Sequence, residues 1–291
     1  MPLQQLNNQP SASPSSVTPS PGGERGEASL KSLSIRITTD GLSFCVYAPT
    51  GTPRYLFQKL RVKPVVSLAA NLKEALMTEP LLQQPYKRVN VLITTPQFTT
   101  VPAVAFEREH IEDTFHFVFP KAERTHISYN VLRRSGIAVI FGFDKHLRQL
   151  IIDDFPRARF YASASTLIEF FSERSLIGTN RKMFAYRHDD QLTVYCFQQG
   201  RMLFVNSYPV HGVNDCQYYL LGVWKEMKFD QLEDALFVVS DDDDSKELVE
   251  KIHYFIKQVS LIDRSDDFRD TITRGNTTIP YDLQTLLVCG F

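Results

Sequence analysis

One order of predicted secondary structure occurs early in this chain of 291 residues and returns later, and it constrains the fold more than any other feature. The first occurrence begins with two β-rich runs around Asp40-Gly41, a dipeptide that strongly predicts a hairpin. A third β-rich run, a stretch with apolar side chains at helical spacing and a nearly all-apolar run follow. These five segments are residues 33–37, 42–47, 55–62, 67–82 and 88–94. The unit is predicted as β-β-β-α-β.

The same order returns about 150 residues later. The corresponding segments are residues 182–186, 191–197, 201–208, 214–227 and 235–239. A further helix is predicted after them, because Leu248, Ile252, Phe255 and Val259 would share one face. Asp40, Leu42 and Ser43 stand 150 residues before Asp190, Leu192 and Thr193. A period this long indicates a duplicated domain rather than a solenoid of short repeats.

The segment between the two units adds further strands and helices. Residues 127–133 and 136–143 are predicted as a hairpin, and Asp144 as the cap of a helix that ends at Pro156. A short strand at 157–161 follows, and residues 165–172 are predicted as the first part of the next helix. Alternating strands and helices of this kind predict an α/β layer structure. The predicted organisation is a tail and two lobes: residues 1–28, 29–176 and 177–291.

The first 28 residues differ from the rest in composition. They hold five of the 16 prolines and no aromatic residue. Such a segment has too little apolar surface to offset its ordering entropy, so a disordered tail is predicted, whose removal should leave stability unchanged. A docking role for Ser13-Pro14 or Ser20-Pro21 is the alternative.

Composition and charge exclude several classes of protein. The 32 Lys and Arg residues balance the 33 Asp and Glu residues, which argues against nucleic acid as a partner. No stretch reaches the roughly 18 apolar residues of a membrane-spanning helix, and no secretory signal is visible at the N-terminus. The four cysteines do not have metal-ligand spacing, so reduced thiols and a cytoplasmic location are expected.

The repeated unit, read as β-β-β-α-β-α, resembles the architecture of the actin, sugar kinase and chaperone ATPase superfamily. The strings LSIRI at 33–37, DGLSF at 40–44 and PYDLQ at 280–284 look like those of an uncharacterised bacterial family with an actin-like ATPase fold. The resemblance covers residues 30–291. It implies an α/β, actin-like ATPase (ribonuclease H-like) fold with two β-β-β-α-β-α lobes and mixed sheets.

The resemblance also implies where a nucleotide would bind. Active members of the superfamily hold ATP and Mg²⁺ between the lobes, and glycine in the hairpin turns lets backbone N–H groups approach phosphate. Here the first turn keeps Asp40 and Gly41, whereas the second has Asp189 and Asp190 and no glycine, with Thr193 as the one remnant of the pattern.

A third turn departs further from the superfamily pattern. After the strand predicted at 235–239, four aspartates occupy residues 241–244 where a Gly-Gly pair is expected. Acidic residues favour the N-terminus of a following helix, and binding of Ca²⁺ or Mg²⁺ is the alternative. We therefore expect no catalytic residue, no resident metal and no cofactor. In the alternative, ATP with Mg²⁺ would bind at Asp40, Gly41, Asp190 and Thr193.

Other candidate chemistry has simpler explanations. No phosphate-binding loop, zinc-protease, nucleophile-elbow or dinucleotide motif is present. His110 and His116 are expected as ordinary surface or satisfied histidines, and the pairs Asp153-Asp154 and Asp266-Asp267 as solvated faces. The aromatic residues are predicted in the core or, if exposed, on a partner surface: Phe115, Phe117, Phe119, Tyr218, Tyr219 and Trp224.

The sequence thus predicts a cytoplasmic, actin-like protein that acts as a degenerate, non-hydrolysing scaffold or interaction module with a protein partner. The alternative is an ATP-binding protein or slow ATPase with a non-standard site. Nothing in the sequence indicates the oligomeric state.

Overall fold

A computed structural model describes residues 30–39, 41–49, 54–240 and 245–289. The predicted tail at 1–28, Asp40 and the acidic run 241–244 lie outside the described residues. These residues form two five-stranded mixed sheets, a three-stranded antiparallel sheet and helices that cover them.

The first sheet has the strand order β3-β2-β1-β4-β8. Its strands are β1 (Ser32–Ile37), β2 (Leu42–Tyr47), β3 (Tyr55–Leu60), β4 (Arg88–Ile93) and β8 (Arg159–Ala162). The first three are antiparallel neighbours, whereas β4 runs parallel to β1 and β8 parallel to β4. In β4 every residue from Val89 to Ile93 is buried, as its nearly all-apolar sequence predicts.

The second sheet has the corresponding order, β11-β10-β9-β12-β13. Its strands are β9 (Lys182–His188), β10 (Gln191–Gln198), β11 (Arg201–Pro209), β12 (Ala235–Ser240) and β13 (Gln258–Leu261). β9 pairs antiparallel with β10 and parallel with β12, as β1 does with β2 and β4. The predicted order of elements in both units is confirmed.

The small sheet, β5-β7-β6, forms within the segment between the two units. It comprises β5 (Phe98–Pro102), β6 (Thr125–Leu132) and β7 (Ile137–Asp144). The β6–β7 hairpin was predicted, but β5 was not, because its Thr-Thr centre has no alternation of apolar residues.

The helices are α1 (Leu68–Thr78), α2 (Ile111–Val118), α3 (Lys145–Asp154), α4 (Ser163–Arg174), α5 (Val213–Glu226), α6 (Ser245–His253), α7 (Arg264–Asp267) and α8 (Tyr281–Cys289). The Ser67 side chain accepts a hydrogen bond from the Ala70 backbone N–H at the start of α1. Asp144 caps α3 by accepting from the backbone N–H groups of His146 and Leu147, as predicted. No helix within the described ranges is long and apolar enough to cross a membrane.

The predicted extent of one helix is wrong. The pattern Leu248, Ile252, Phe255 and Val259 predicted a single helix, but α6 ends at His253 and Val259 lies in β13. Leu248 and Ile252 are buried, whereas Phe255 is half-exposed. Val259 instead pairs in parallel with Leu236, so a sheet contact distant in sequence overrides the helical spacing.

The last helix returns to the first sheet. Leu283 and Leu286 of α8 pack with Cys45, Leu92 and Tyr161 of the first sheet. α8 therefore covers one face of the first sheet, and its N-terminal residue Tyr281 contacts the rings of Phe171 and Tyr186.

Candidate functional site

The turns of the two equivalent hairpins line one cavity. Thr38 and Gly41 lie in the turn after β1. His188 is the last residue of β9, and Asp189 follows it. All four residues line the same cavity of about 270 Å³. In α/β folds, ligands bind where the carboxyl ends of parallel strands meet. This cavity, termed the cleft cavity below, is therefore the candidate functional site.

A buried carboxylate lies beside the cleft cavity. Arg36 Nε donates to both carboxylate oxygens of Asp282, at 2.8 Å to Oδ1 and 3.0 Å to Oδ2. The hydroxyls of Ser163 and Thr94 donate to Oδ2 at 2.9 and 3.2 Å. Thr94 follows β4 and Ser163 follows β8, so three adjacent strand ends of the first sheet converge on one side chain from α8.

The electrostatics of this pair are those of a satisfied buried ion pair. Burial acts to raise the pKa of Asp282, but the charges of Arg36 and His188 and the hydrogen bonds from Arg36 and Ser163 lower it below its usual range. Burial acts to lower the pKa of Arg36, and the charge of Asp282 raises it above its usual range. Both groups are therefore ionised in the folded protein, and each neutralises the other.

The rest of the cleft cavity is mostly cationic and hydroxylic. Arg36, Lys59 and Arg264 line it, together with Thr277 and Thr278. Arg264 donates to the backbone carbonyls of Thr277 and Ile279 at 3.3 and 3.4 Å.

Asp189 brings a carboxylate to the cavity from the second hairpin. The φ angle of Asp189 is +48°, in the left-handed region that non-glycine residues rarely adopt. The tight two-residue turn between β9 and β10 holds Asp189 in this conformation. The carboxylate Oδ2 lies 3.6 Å from Nδ1 of the buried His188. The proximity of the His188 imidazole is the main cause that lowers the pKa of Asp189.

Of the four residues predicted for a nucleotide site, the structure describes Gly41, Asp190 and Thr193, and it does not bring these three together. Gly41 lines the cleft cavity, and its carbonyl accepts from the Thr38 backbone N–H at 3.0 Å. Asp190 is exposed and does not line that cavity; its neighbour Asp189 does. Thr193 is buried, and its hydroxyl lies 3.1 Å from that of Ser207 on the adjacent strand. Asp40 lies outside the described residues.

The other side of the hairpin turns is nearly filled. Thr193, Ser207, Ser163 and His188 line a cavity of only about 10 Å³ there. That volume holds about one water molecule. Thr193 therefore faces a space that cannot admit a phosphate group in this arrangement.

Aromatic side chains pack between the two five-stranded sheets. Phe171 of α4 stacks on Phe184 of β9 with ring centroids 4.5 Å apart. Tyr186 and Tyr195 are buried in the same cluster as Leu33 and Ile35 of the first sheet. One continuous core therefore joins the two five-stranded sheets. Burial in it raises the pKa of Tyr186 well above its usual value.

Sequence reasoning missed the polar centre of the site. Arg36 and Asp282 entered only within strings that carried a resemblance, and Thr94, Ser163 and His188 were not singled out. One available signal was Arg36 itself, a charged residue in a strand whose neighbours Ile35 and Ile37 are apolar. Its partner could not be inferred, since 246 residues separate the two.

The expectation that Asp266-Asp267 is a solvated pair is wrong for Asp267. The Asp267 side chain is only 3 % exposed and forms an ion pair with Arg174. The Tyr281 hydroxyl donates to Asp267 Oδ2 at 2.6 Å. Asp266 and the pair Asp153-Asp154 are exposed, as predicted.

The histidines and aromatic residues are divided between surface and core. His110 and His116 are exposed, and His110 Nε2 lies 3.1 Å from Glu107. Phe115 and Trp224 are buried, whereas Phe117 is 90 % exposed and Tyr218 74 % exposed.

Among the described residues, no group of three or more His, Cys, Asp or Glu side chains is placed to hold a metal ion.

Comparison with known proteins agrees with this architecture. A family model described as "Protein of unknown function (DUF3822)" matches residues 24–259. A Bacteroides thetaiotaomicron protein of unknown function with an actin-like ATPase fold is 34 % identical, with a TM-score of 0.79 over 91 % of this chain and 98 % of its own. No curated protein matches.

A more distant structure has the same fold. The PilM-PilN type IV pilus biogenesis complex contains a chain that is 7 % identical, with a TM-score of 0.55 over 88 % of this chain and 94 % of its own. The strand order and these similarities show an actin-like ATPase fold.

Proposed function

The chain belongs to the DUF3822 family of proteins of unknown function, and from that premise we propose that it is a protein-interaction module whose interlobe cleft does not serve a nucleotide. The observation that carries the proposal is the Asp282 carboxylate, held by Arg36, Thr94 and Ser163 at the strand ends of the first sheet. The chain's own helix α8 supplies an anion where a ligand of an α/β protein would bind.

Space opposes a polyphosphate here, and the charges of the cleft cavity are partly compensated. The guanidinium of Arg36 is already neutralised by Asp282, and the carboxylate of Asp189 offsets one of the two remaining cations, Lys59 and Arg264. Like charges repel strongly where water is scarce. The cleft cavity, about 270 Å³, is also below the roughly 300–1,000 Å³ that is usual for small-molecule sites.

The surface offers a place for a protein partner on the second lobe. Phe204, Tyr208, Tyr218, Tyr219 and Met227 line a mostly apolar groove of about 310 Å³, termed the tyrosine groove. The rings of Tyr208 and Tyr219 stack with centroids 4.4 Å apart, and Tyr218 packs edge-on against Tyr219 at 5.3 Å. Tyrosine is enriched at protein interfaces because its ring adds apolar area and its hydroxyl tolerates water.

A neighbour in fold supports the same conclusion. PilM, similar in fold, was solved in a complex with PilN, so this architecture can serve protein assembly. We infer that this chain also binds a protein partner, one different from PilN, and that it does so in the cytoplasm.

The alternative, an ATP-binding protein or slow ATPase, is favoured by one observation. Lys59 and Arg264 line the cleft cavity together with Gly41, the kinds of group that hold phosphate. It would require α8 to withdraw Asp282 so that Arg36 could face a ligand.

Two measurements test the proposal. Isothermal titration calorimetry of the full chain with ATP and Mg²⁺ should give no saturable heat, and phosphate release should not exceed background. Micromolar ATP binding that Asp40→Ala abolishes would establish the alternative.

The partner surface has its own test. Affinity capture from cells with the wild type should retain a protein that Tyr218→Ala loses and that Tyr254→Ala, a variant of another exposed tyrosine, keeps. Equal capture by both variants would show that the partner does not bind at the tyrosine groove.

A further inference from the structure

The tyrosine groove lies between α5 and β11, the strand at one edge of the second sheet. Of the described residues that line it, Glu226 alone carries a charge. Tyr218 is 74 % exposed, so its ring is open to a ligand that arrives from solvent. The groove is therefore a reachable and mostly apolar surface.

The rings of the groove form a corner as well as a flat face. The Tyr218 ring stands at 74° to that of Tyr219, which stacks at 18° on the ring of Tyr208. Within the described part of the chain, the hydroxyls of these three residues have no hydrogen-bond partner, so they are free to donate. Aromatic grooves of this kind bind proline-rich segments, whose polyproline backbone leaves its carbonyls free.

The chain itself contains a segment with the matching chemistry. Residues 8–23 hold no charged residue and four prolines, Pro10, Pro14, Pro19 and Pro21. Because proline fixes φ, such a segment loses less conformational entropy on docking than an ordinary one. It also brings no charge that would have to leave water at an apolar surface.

We propose that residues 10–21, termed the proline segment, dock in the tyrosine groove of their own chain and cover it until a protein partner takes their place. The inference rests on the proposed function, because it concerns the groove assigned there to a partner. It gives a role to Ser13-Pro14 and Ser20-Pro21, for which docking is the alternative that the sequence leaves open.

The length of chain before the first described residue permits this contact. Pro14, near the middle of the proline segment, precedes Leu30 by 16 residues. An extended chain of that length spans up to about 50 Å. A folded body of about 260 residues has a radius of gyration of about 18 Å. The linker is longer than twice this radius, so the proline segment can reach the groove without a second copy.

A fluorescently labelled peptide with the sequence of residues 8–23, titrated with the full chain and followed by anisotropy, tests the assignment. The full chain with alanine in place of all four prolines, termed the four-alanine variant, leaves the groove free and should bind the peptide saturably. The wild type should bind it about ten-fold more weakly, because its own proline segment competes. That factor holds for a peptide Kd of about 0.1 mM and an effective concentration of about 1 mM.

Two controls tie the binding to the prolines and to the groove. The same peptide with alanine at its four proline positions should not bind. Tyr218→Ala, added to the four-alanine variant, should weaken peptide binding about ten-fold or more, the loss of about one aromatic contact. Tyr254→Ala, at a ring that is 89 % exposed and does not line the groove, is the matched control and should change nothing.

Three results would overturn the assignment: no saturable binding by the four-alanine variant, equal binding by that variant and the wild type, or binding that Tyr218→Ala leaves unchanged. Sedimentation equilibrium should give the wild type and the four-alanine variant the same mass. A larger mass for the wild type alone would place the proline segment on a second copy and overturn docking within one chain. These readouts use no other protein, so they can fail while capture of a partner at the tyrosine groove succeeds.

Discussion

Arg36 Nε lies within 3.0 Å of both carboxylate oxygens of Asp282, although the two residues are 246 positions apart in the sequence. The pair joins β1 to α8, and both side chains are at least nine-tenths buried. Asp282→Ala would leave the guanidinium buried and unpaired, so we expect the free energy of unfolding to fall by about 3–5 kcal/mol. Urea unfolding at neutral pH measures this loss.

The control for this variant is an exposed ion pair. Lys63 Nζ lies 2.6 Å from Glu74 Oε1, and both side chains are more than half exposed. Glu74→Gln should cost no more than about 1 kcal/mol. The double variant Arg36→Met/Asp282→Leu should lose much less stability than Asp282→Ala alone, because no charge is left buried. If Asp282→Ala unfolded at the wild-type urea concentration, the ion pair would not be holding α8 in place.

The same pair predicts a pH dependence of stability. The pKa of Asp282 is lower in the folded protein than its usual value of about 3.9. Its contribution to stability is therefore complete above about pH 4 and is lost as the pH falls through the lower, folded-state pKa. Unfolding measured between about pH 6 and about pH 3 should show a steeper loss for the wild type than for Asp282→Asn. Parallel curves would mean that other carboxylates govern acid unfolding.

The elements that local sequence determines were predictable. The Asp40-Gly41 dipeptide places the first hairpin, the apolar run in β4 places a buried strand, and Asp144 marks the start of α3. In each case the physical cause, a turn, a buried run or a cap, acts between residues close together in the chain.

The features that the sequence did not reveal depend on distant partners. Asp282 is buried because Arg36 faces it, and Asp267 is buried because Arg174 and Tyr281 do. The periodicity around Phe255 and Val259 favoured a helix, and only the pairing with Leu236 makes the last part a strand. The candidate site is built almost wholly from such contacts, so its polar centre was missed.

The hydrogen bond from Tyr281 to Asp267 supports a further prediction. Tyr281 is buried, and its hydroxyl donates to the buried Asp267 Oδ2 at 2.6 Å. Tyr281→Phe removes the donor and leaves a carboxylate less satisfied, so a loss of about 1–3 kcal/mol is expected. Thermal and urea unfolding measure it. Tyr218→Phe, at an exposed ring, should be neutral, and equal effects of the two changes would contradict this assignment.

Gly142 provides a prediction about close packing. It lies in β7, beneath the fully buried ring of Phe115 from α2. A Cβ at this position would overlap Phe115 Cζ and Thr125 Cγ2. Gly142→Ala should therefore force α2 away from the small sheet and cost about 1–3 kcal/mol.

The matched substitution is Gly222→Ala, in the middle of α5. Its Cβ would meet no atom within 4 Å, and alanine favours a helix interior over glycine by about 0.8–1.0 kcal/mol. The same chemical change should thus destabilise the protein at Gly142 and stabilise it at Gly222, as measured by urea unfolding. A Gly142→Ala protein as stable as the wild type would show that α2 does not require the close approach to β7.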